Sequence, residues 1–333
     1  VPTNLMGREI LPGTREYQWV ASVVEATERL TGRPSSWNRR LYEQLGESAG
    51  SALSDGTMTI SRPQVLEPVM RAYDAPGSVD LPTTEGARAG VMIVVHETDH
   101  HQHEFGYAFE PDAIQLASPE YTVATEGLAE SNRDRVVDPV IQDIGMDNVV
   151  PRILEAPMIS AYAGYQAGVE GVLHGLHTLS GMSPYEVWET VDQAPFVQRY
   201  NAMADVLIDS RLNDLMPEQD RSEIRRQLSQ PLKDELGSLT QYTLGIEPPD
   251  QLAQRGRETG ARAVLRVEQV LKGVEAKYRL SVDAETARLR QFLEVGGAAA
   301  RGGAAAGGGA AGGAAAAARL VTSFVRQRDE WSR

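Results

Sequence analysis

The sequence predicts an α+β chain that is mostly helical, with a small mixed sheet and one central helix carrying a histidine cluster. Three observations support this. Apolar residues recur at steps of three and four over long stretches, and strand-like character is confined to one short segment. In addition, four of the six histidines, His96, His100, His101 and His103, fall within eight residues.

The elements follow in chain order. The start, Val1-Pro2-Thr3-Asn4, has no basic segment leading into an apolar core, so no secretory signal is expected and the expected location is cytoplasmic. Export by another route, or excision from a longer chain, stays open. Arg15 to Leu30 places Trp19, Val20, Val23, Val24 and Leu30 along one helical face. Thr57-Met58-Thr59-Ile60, after the turn pair Asp55-Gly56 and before Pro63, is the best strand candidate. Ala87 to Phe105 reads as a helix, since it holds no proline, carries the apolar run Val91 to Val95 and stops at Gly106. Further helices are expected over Ile159–Leu179 and Phe196–Leu215 and along Val264, Val267, Leu271, Val274 and Tyr278. Ser183-Pro184-Tyr185-Glu186 has the pattern of a capping box with proline at the first helical position.

Composition removes several chemistries. There is no cysteine, so disulfides, thiolate zinc sites, iron–sulfur clusters and a Cys nucleophile are all excluded. A net charge of −14 argues against nucleic acid and anionic membranes as partners. The longest strongly apolar run, Val91 to Val95, is far short of the roughly 20 residues of a membrane span. No phosphate-binding loop, dinucleotide fingerprint or nucleophile elbow is present.

What remains is imidazole and carboxylate chemistry. His96-Glu97-Thr98-Asp99-His100 is an H-E-x-x-H motif. Residues four apart share a helix face, so both imidazoles can point at one metal ion. Glu97, one step round the helix, can reach a water on that metal as general base. A catalytic zinc site needs a third protein ligand, and Glu126, 25 intervening residues after His100, can supply it from a second helix. Glu130, one turn later, can accept a hydrogen bond from a liganding imidazole. His103 emerges about 10 Å along the axis from His96 and is a poor third ligand, better suited to lining the cleft or holding a weaker second metal. His101 and Asp99 are expected to face solvent, and Asp112 is a further acidic neighbour. Tyr162, Tyr165, His174 and His177 are candidates for stabilising an oxyanion, with Tyr162 and His174 preferred.

His96 to His100 together with Glu126-Gly127-Leu128-Ala129-Glu130 resembles the gluzincin metallopeptidases, the group that contains thermolysin and the neutral aminopeptidases. The resemblance covers Met58 to Glu130. It implies a zincin-like core, one zinc per chain on His96, His100 and Glu126, Glu97 as general base, and Glu130 as the supporting acid. It also implies that the strand before the active helix, here Thr57 to Ile60, is an edge that binds extended peptide. Two features depart from the family pattern: a longer interval between His100 and Glu126, and Thr125 where the aminopeptidases carry Asn. The expected function is a zinc metallopeptidase acting on a peptide or protein substrate. The alternative is a helical module whose zinc is structural and whose role is protein–protein interaction. The expected organisation is a catalytic domain over 1–236, a helical extension over 237–295, a Gly/Ala-rich tether over 296–318 and a short tail over 319–333. The tether is expected because nine of the 31 glycines lie between Gly296 and Gly313, each costing a helix about 1 kcal/mol relative to alanine.

Overall fold

The computed structural model describes residues 6–107, 109–158, 160–242 and 247–303, with side chains as far as Leu293. The chain divides into two compact units, Val1–Lys272 and Gly273–Arg333.

The first unit opens with strand β1 (Met6–Glu9) and helix α1 (Arg15–Thr31), capped by the Thr14 side chain and ended by Gly32 in the left-handed conformation. Three short strands follow: β2 (Leu41–Gln44), β3 (Gly50–Ala52) and β4 (Met58–Ile60). Together they make a mixed four-stranded sheet in the order β1-β2-β4-β3. β2 and β4 are parallel, and the other two pairs are antiparallel. β3 and β4 form a hairpin closed by the three-residue loop 54–56, where Gly56 takes φ +85°.

Helices then dominate. α2 (Glu67–Asp74) and α3 (Leu81–His101) precede α4 (Pro119–Asp143) and the single turn α5 (Met146–Val149). α6 (Ala163–Ser180), α7 (Pro184–Asp192), α8 (Arg199–Leu207) and α9 (Arg221–Gly237) complete the packing, followed by α10 (Pro249–Gly303). α3 starts earlier than its apolar run suggests, because Asp80 caps the Thr83 N–H and Pro82 sits in the first turn. It also ends earlier, at His101, and Gly106 (φ +79°) lies in the turn beyond. The capping box at Ser183–Glu186 starts α7 as the sequence predicts. The stretch 196–215 is not one helix: α8 is preceded by a 3-10 turn and followed by a π turn at Ile208–Leu212.

α3 runs through the centre of the unit. Val91, Val94 and Val95 pack with Val20, Val23 and Val24 of α1, Met58 and Ile60 of β4, and Val137, Val140 and Ile141 of α4. This surrounding explains why nearly every residue of α3 from Gly90 to Asp99 is buried, polar ones included. Such a helix has no solvent face, so periodicity cannot be used to assign one.

The compact unit reaches Lys272 instead of ending at residue 236. The first half of α10 lies against α6 along small residues: a Cβ on Gly256 would sit 2.2 Å from the Gly164 carbonyl oxygen. In the second unit, α10 continues to Gly303, so the first eight residues of the expected tether, 296–303, are helical. The interspersed alanines, the best helix formers, oppose the glycine cost there. The rest of the tether and the tail, 304–333, lie outside the described residues. Among the described residues, no helix is long and apolar enough to cross a membrane.

Candidate metal centre

α3 and α4 pack side by side and bring the predicted ligands together. His96 Nε2 lies 3.0 Å from His100 Nε2 and 3.1 Å from Glu126 Oε2, and His100 Nε2 lies 3.6 Å from the same oxygen. Zinc with bonds of about 2.0–2.1 Å in tetrahedral geometry separates neighbouring ligand atoms by about 3.3 Å. The three atoms therefore form one face of such a tetrahedron, and a fourth position is left for a non-protein ligand. The histidines and carboxylates of the cluster shift one another. Burial works against a charged His96, yet Glu126 and Glu130 outweigh it and hold its pKa well above the usual value. Burial likewise works against ionised Glu126, but His100 and His96 hold that carboxyl far below the ordinary range.

Glu130 stands behind His96, with its Oε1 3.0 Å from His96 Nδ1. Arg133 Nη1 donates to the same oxygen at 2.6 Å, and the Ser160 hydroxyl donates to the other. Burial alone would raise this carboxyl, but the bond to His96 and the Arg133 charge lower it. It therefore stays ionised behind the His96 ring, whose Nε2 is the nitrogen directed at the cluster.

Glu97 is buried against the sheet. Its pKa is raised, chiefly by burial, while the His96 and His100 charges and the Ala52 N–H, which donates to it, oppose that rise. Gly50 is part of this fit: a Cβ there would lie 3.0 Å from Glu97 Oε1. The strand beside the site is thus β3, not the Thr57–Ile60 segment. β4 lies inside the sheet between β2 and β3, and β3 is an edge strand, as β1 is on the other side. Strands of three or four residues of mixed polarity carry no alternation, which hid β1, β2 and β3 in the sequence. The usable signal was the Asp55-Gly56 pair, which implies a strand on each side.

Tyr162 meets the cluster: its ring stacks on His96 with centroids 6.1 Å apart and planes 19° from parallel. It stacks equally on Tyr165, at 5.5 Å. Burial, then the charges of Glu126, Glu97 and Glu130, push its phenol far above the ordinary value, so it is a hydrogen-bond donor. His174 is not brought to the site. It is exposed, its ring pairs with His177 at 5.9 Å, and it lies about 18 Å along α6 from Tyr162. Ile159 lies outside the described residues, and α6 begins at Ala163.

The remaining neighbours correct the sequence expectation. His101 is buried, and burial followed by the His100 charge lowers its pKa to about 4. Asp99 is buried and accepts from Asn132 of α4. His103 is buried as well. Its Nδ1 donates to the Asp99 carbonyl at 2.8 Å, and its Nε2 is 3.3 Å from Asp192 Oδ1. Asp99, His103 and Asp192 lie close enough to hold a metal, and Arg33 borders the group. Its guanidinium donates to Asp192 and lies 3.1 Å from His103 Nε2, which sets a positive charge against that carboxylate, while Asp99 Oδ2 is buried without a hydrogen-bond partner. Asp112 is apart from both clusters and accepts from Ser222. Asp192 and Arg33 had no signal in the sequence, since they lie 93 and 66 residues from Asp99.

No protein-family model, curated protein or solved structure matches this chain. Its class is defined by what it carries: a mostly helical α+β fold in which an H-E-x-x-H helix and a downstream glutamate converge on one cation-sized position.

Proposed function

We propose that the chain is a zinc-dependent metallohydrolase that cleaves peptide bonds. The observation that carries this reading is the tetrahedral-face spacing of His96, His100 and Glu126 with the Glu97 carboxyl buried beside it. Zinc held by those three residues would supply Lewis acidity, making water acidic enough to attack at neutral pH and polarising the scissile carbonyl. Glu97 takes the proton of the attacking water and passes it to the leaving amine, and its raised affinity for a proton suits both steps. Tyr162 holds its phenolic proton and can donate to the oxyanion that forms on the carbonyl. Glu130 and Arg133 keep His96 in one tautomer. A purely structural zinc would have no use for a buried carboxyl beside its ligands and would be closed by a fourth protein ligand.

The test is metal content and hydrolysis measured together. Protein purified without chelator or added metal should carry about one zinc per chain. Glu126→Ala should lose it, whereas Glu97→Gln should keep it and lose hydrolysis by roughly 10²–10⁴-fold, the usual worth of a general base. Full activity in Glu97→Gln, or no metal in the wild type, would sink the reading.

A further inference from the structure

Beside the candidate metal centre is a recess of about 150 Å³ whose wall includes His100 and Glu126. Leu53, Phe105, Tyr121 and Phe196 form the apolar part of its wall, and Ser36, Ser54 and Thr125 are among its polar residues. Phe196 is its hub, with the edges of Phe105 and Tyr121 meeting its ring at 5.4 and 6.2 Å. The volume is well below the roughly 300–1,000 Å³ of a site for a whole small molecule, and it suits one side chain.

The edge strand gives the recess a direction. In the β3–β4 ladder, residues 49, 51 and 53 bond to β4, which turns the backbone groups of Gly50 and Ala52 to the free side. The Gly50 carbonyl accepts from the hydroxyls of Ser48 and Ser51, and the Ala52 N–H donates to Glu97. The Ala52 carbonyl is the outward group left to accept a substrate N–H. Antiparallel pairing is the more stable geometry per residue. A peptide paired that way has its N-terminal part beside the end of β3, at Ala52 and Leu53, and both of these residues line the recess.

Resting on the peptidase reading, we propose that this recess receives the side chain on the N-terminal side of the scissile bond and selects a large apolar one. Charge decides against the alternatives. An anionic side chain would lie against Glu126. A cationic one would find no free counter-charge in the wall, since Glu126, the carboxylate among the lining residues, is committed to the metal in the zinc-loaded chain. The aromatic wall rewards apolar area at roughly 25 cal/mol per Å².

The experiment is digestion of a mixed peptide library by the zinc-loaded full chain, with cut sites mapped by mass spectrometry. Leu, Met, Phe and Tyr should be enriched about tenfold over Asp, Glu, Lys and Arg immediately before the cut, the range a single apolar pocket delivers. Phe105→Ala, at the exposed rim, should reduce that preference while the preference after the cut stays as it was. Binding supplies a second readout: uncleaved peptides with Phe at that position should bind zinc-loaded Glu97→Gln about tenfold tighter than those with Asp. Selectivity only after the cut, or none, overturns this assignment and leaves the peptidase reading standing. No cleavage of any peptide by the zinc-loaded chain overturns both.

Discussion

At the scale of single residues, the site depends on what is missing as much as on what is present. Glu97 can lie against β3 because residue 50 has no side chain, and a Cβ there would come within 3.0 Å of its carboxyl oxygen. Gly50→Ala should therefore push Glu97 away without touching a ligand. The expected result is a fall in kcat of roughly 10–100-fold, the cost of misplacing a reacting group by a fraction of an ångström to an ångström. Zinc content should be unchanged, and an unchanged kcat would show that Glu97 does not work from this position. The sequence holds Gly50 in plain view, but nothing in its neighbours says that Glu97, 47 residues later, will close on it.

At the scale of elements, the legible part was whatever a helix encodes locally. His96, Glu97 and His100 are set by 3.6-residue geometry, and Glu126 with Glu130 by the same rule on α4, so two helices sufficed to foresee the cluster. The parts that depend on long-range packing were not legible. Asp99 and His101 read as solvated when α3 is given an exposed face, yet the packing around α3 buries both. The tie between α7 and α3 is the clearest case, because Asp192 ends α7 and meets both His103 and Arg33. Burial would raise the Asp192 carboxyl, but the bond from His103 and the charges of His103, Arg199 and Arg33 lower it. A depressed carboxyl stabilises the fold above its unfolded pKa, about 3.9, where the unfolded chain begins to bind more protons than the folded one. That stability is lost as pH falls from there through the lower folded value. Asp192→Asn should cost about 3–5 kcal/mol at neutral pH, since it leaves buried cations unpaired. The gap between variant and wild type should close on acidification below about pH 4, as urea melts across pH would measure. A gap that stays constant with pH would mean that Asp192 does not carry its charge in the fold.

At the scale of the whole molecule, the boundary of the compact unit that carries the candidate metal centre follows from packing and not from the end of the motifs. Leu239, Leu252, Val267 and Leu271 all lie beyond residue 236 and are buried within the first unit. At about 1.5–3 kcal/mol for each buried side chain, together they contribute about 6–12 kcal/mol. That is comparable to the whole stability of a typical domain, about 5–15 kcal/mol. The close seat of Gly256 on Gly164 adds a backbone approach that no other side chain could replace. A chain ending at residue 236 should therefore lose its cooperative melt and its zinc, even though every ligand is present. A chain ending after Lys272 keeps all of these contacts and should melt cooperatively with about one zinc bound. Calorimetry and metal analysis on the two truncations separate the possibilities. If the shorter chain melts like the longer one, α10 is an appendage and the folded unit ends at residue 236, as the sequence suggests.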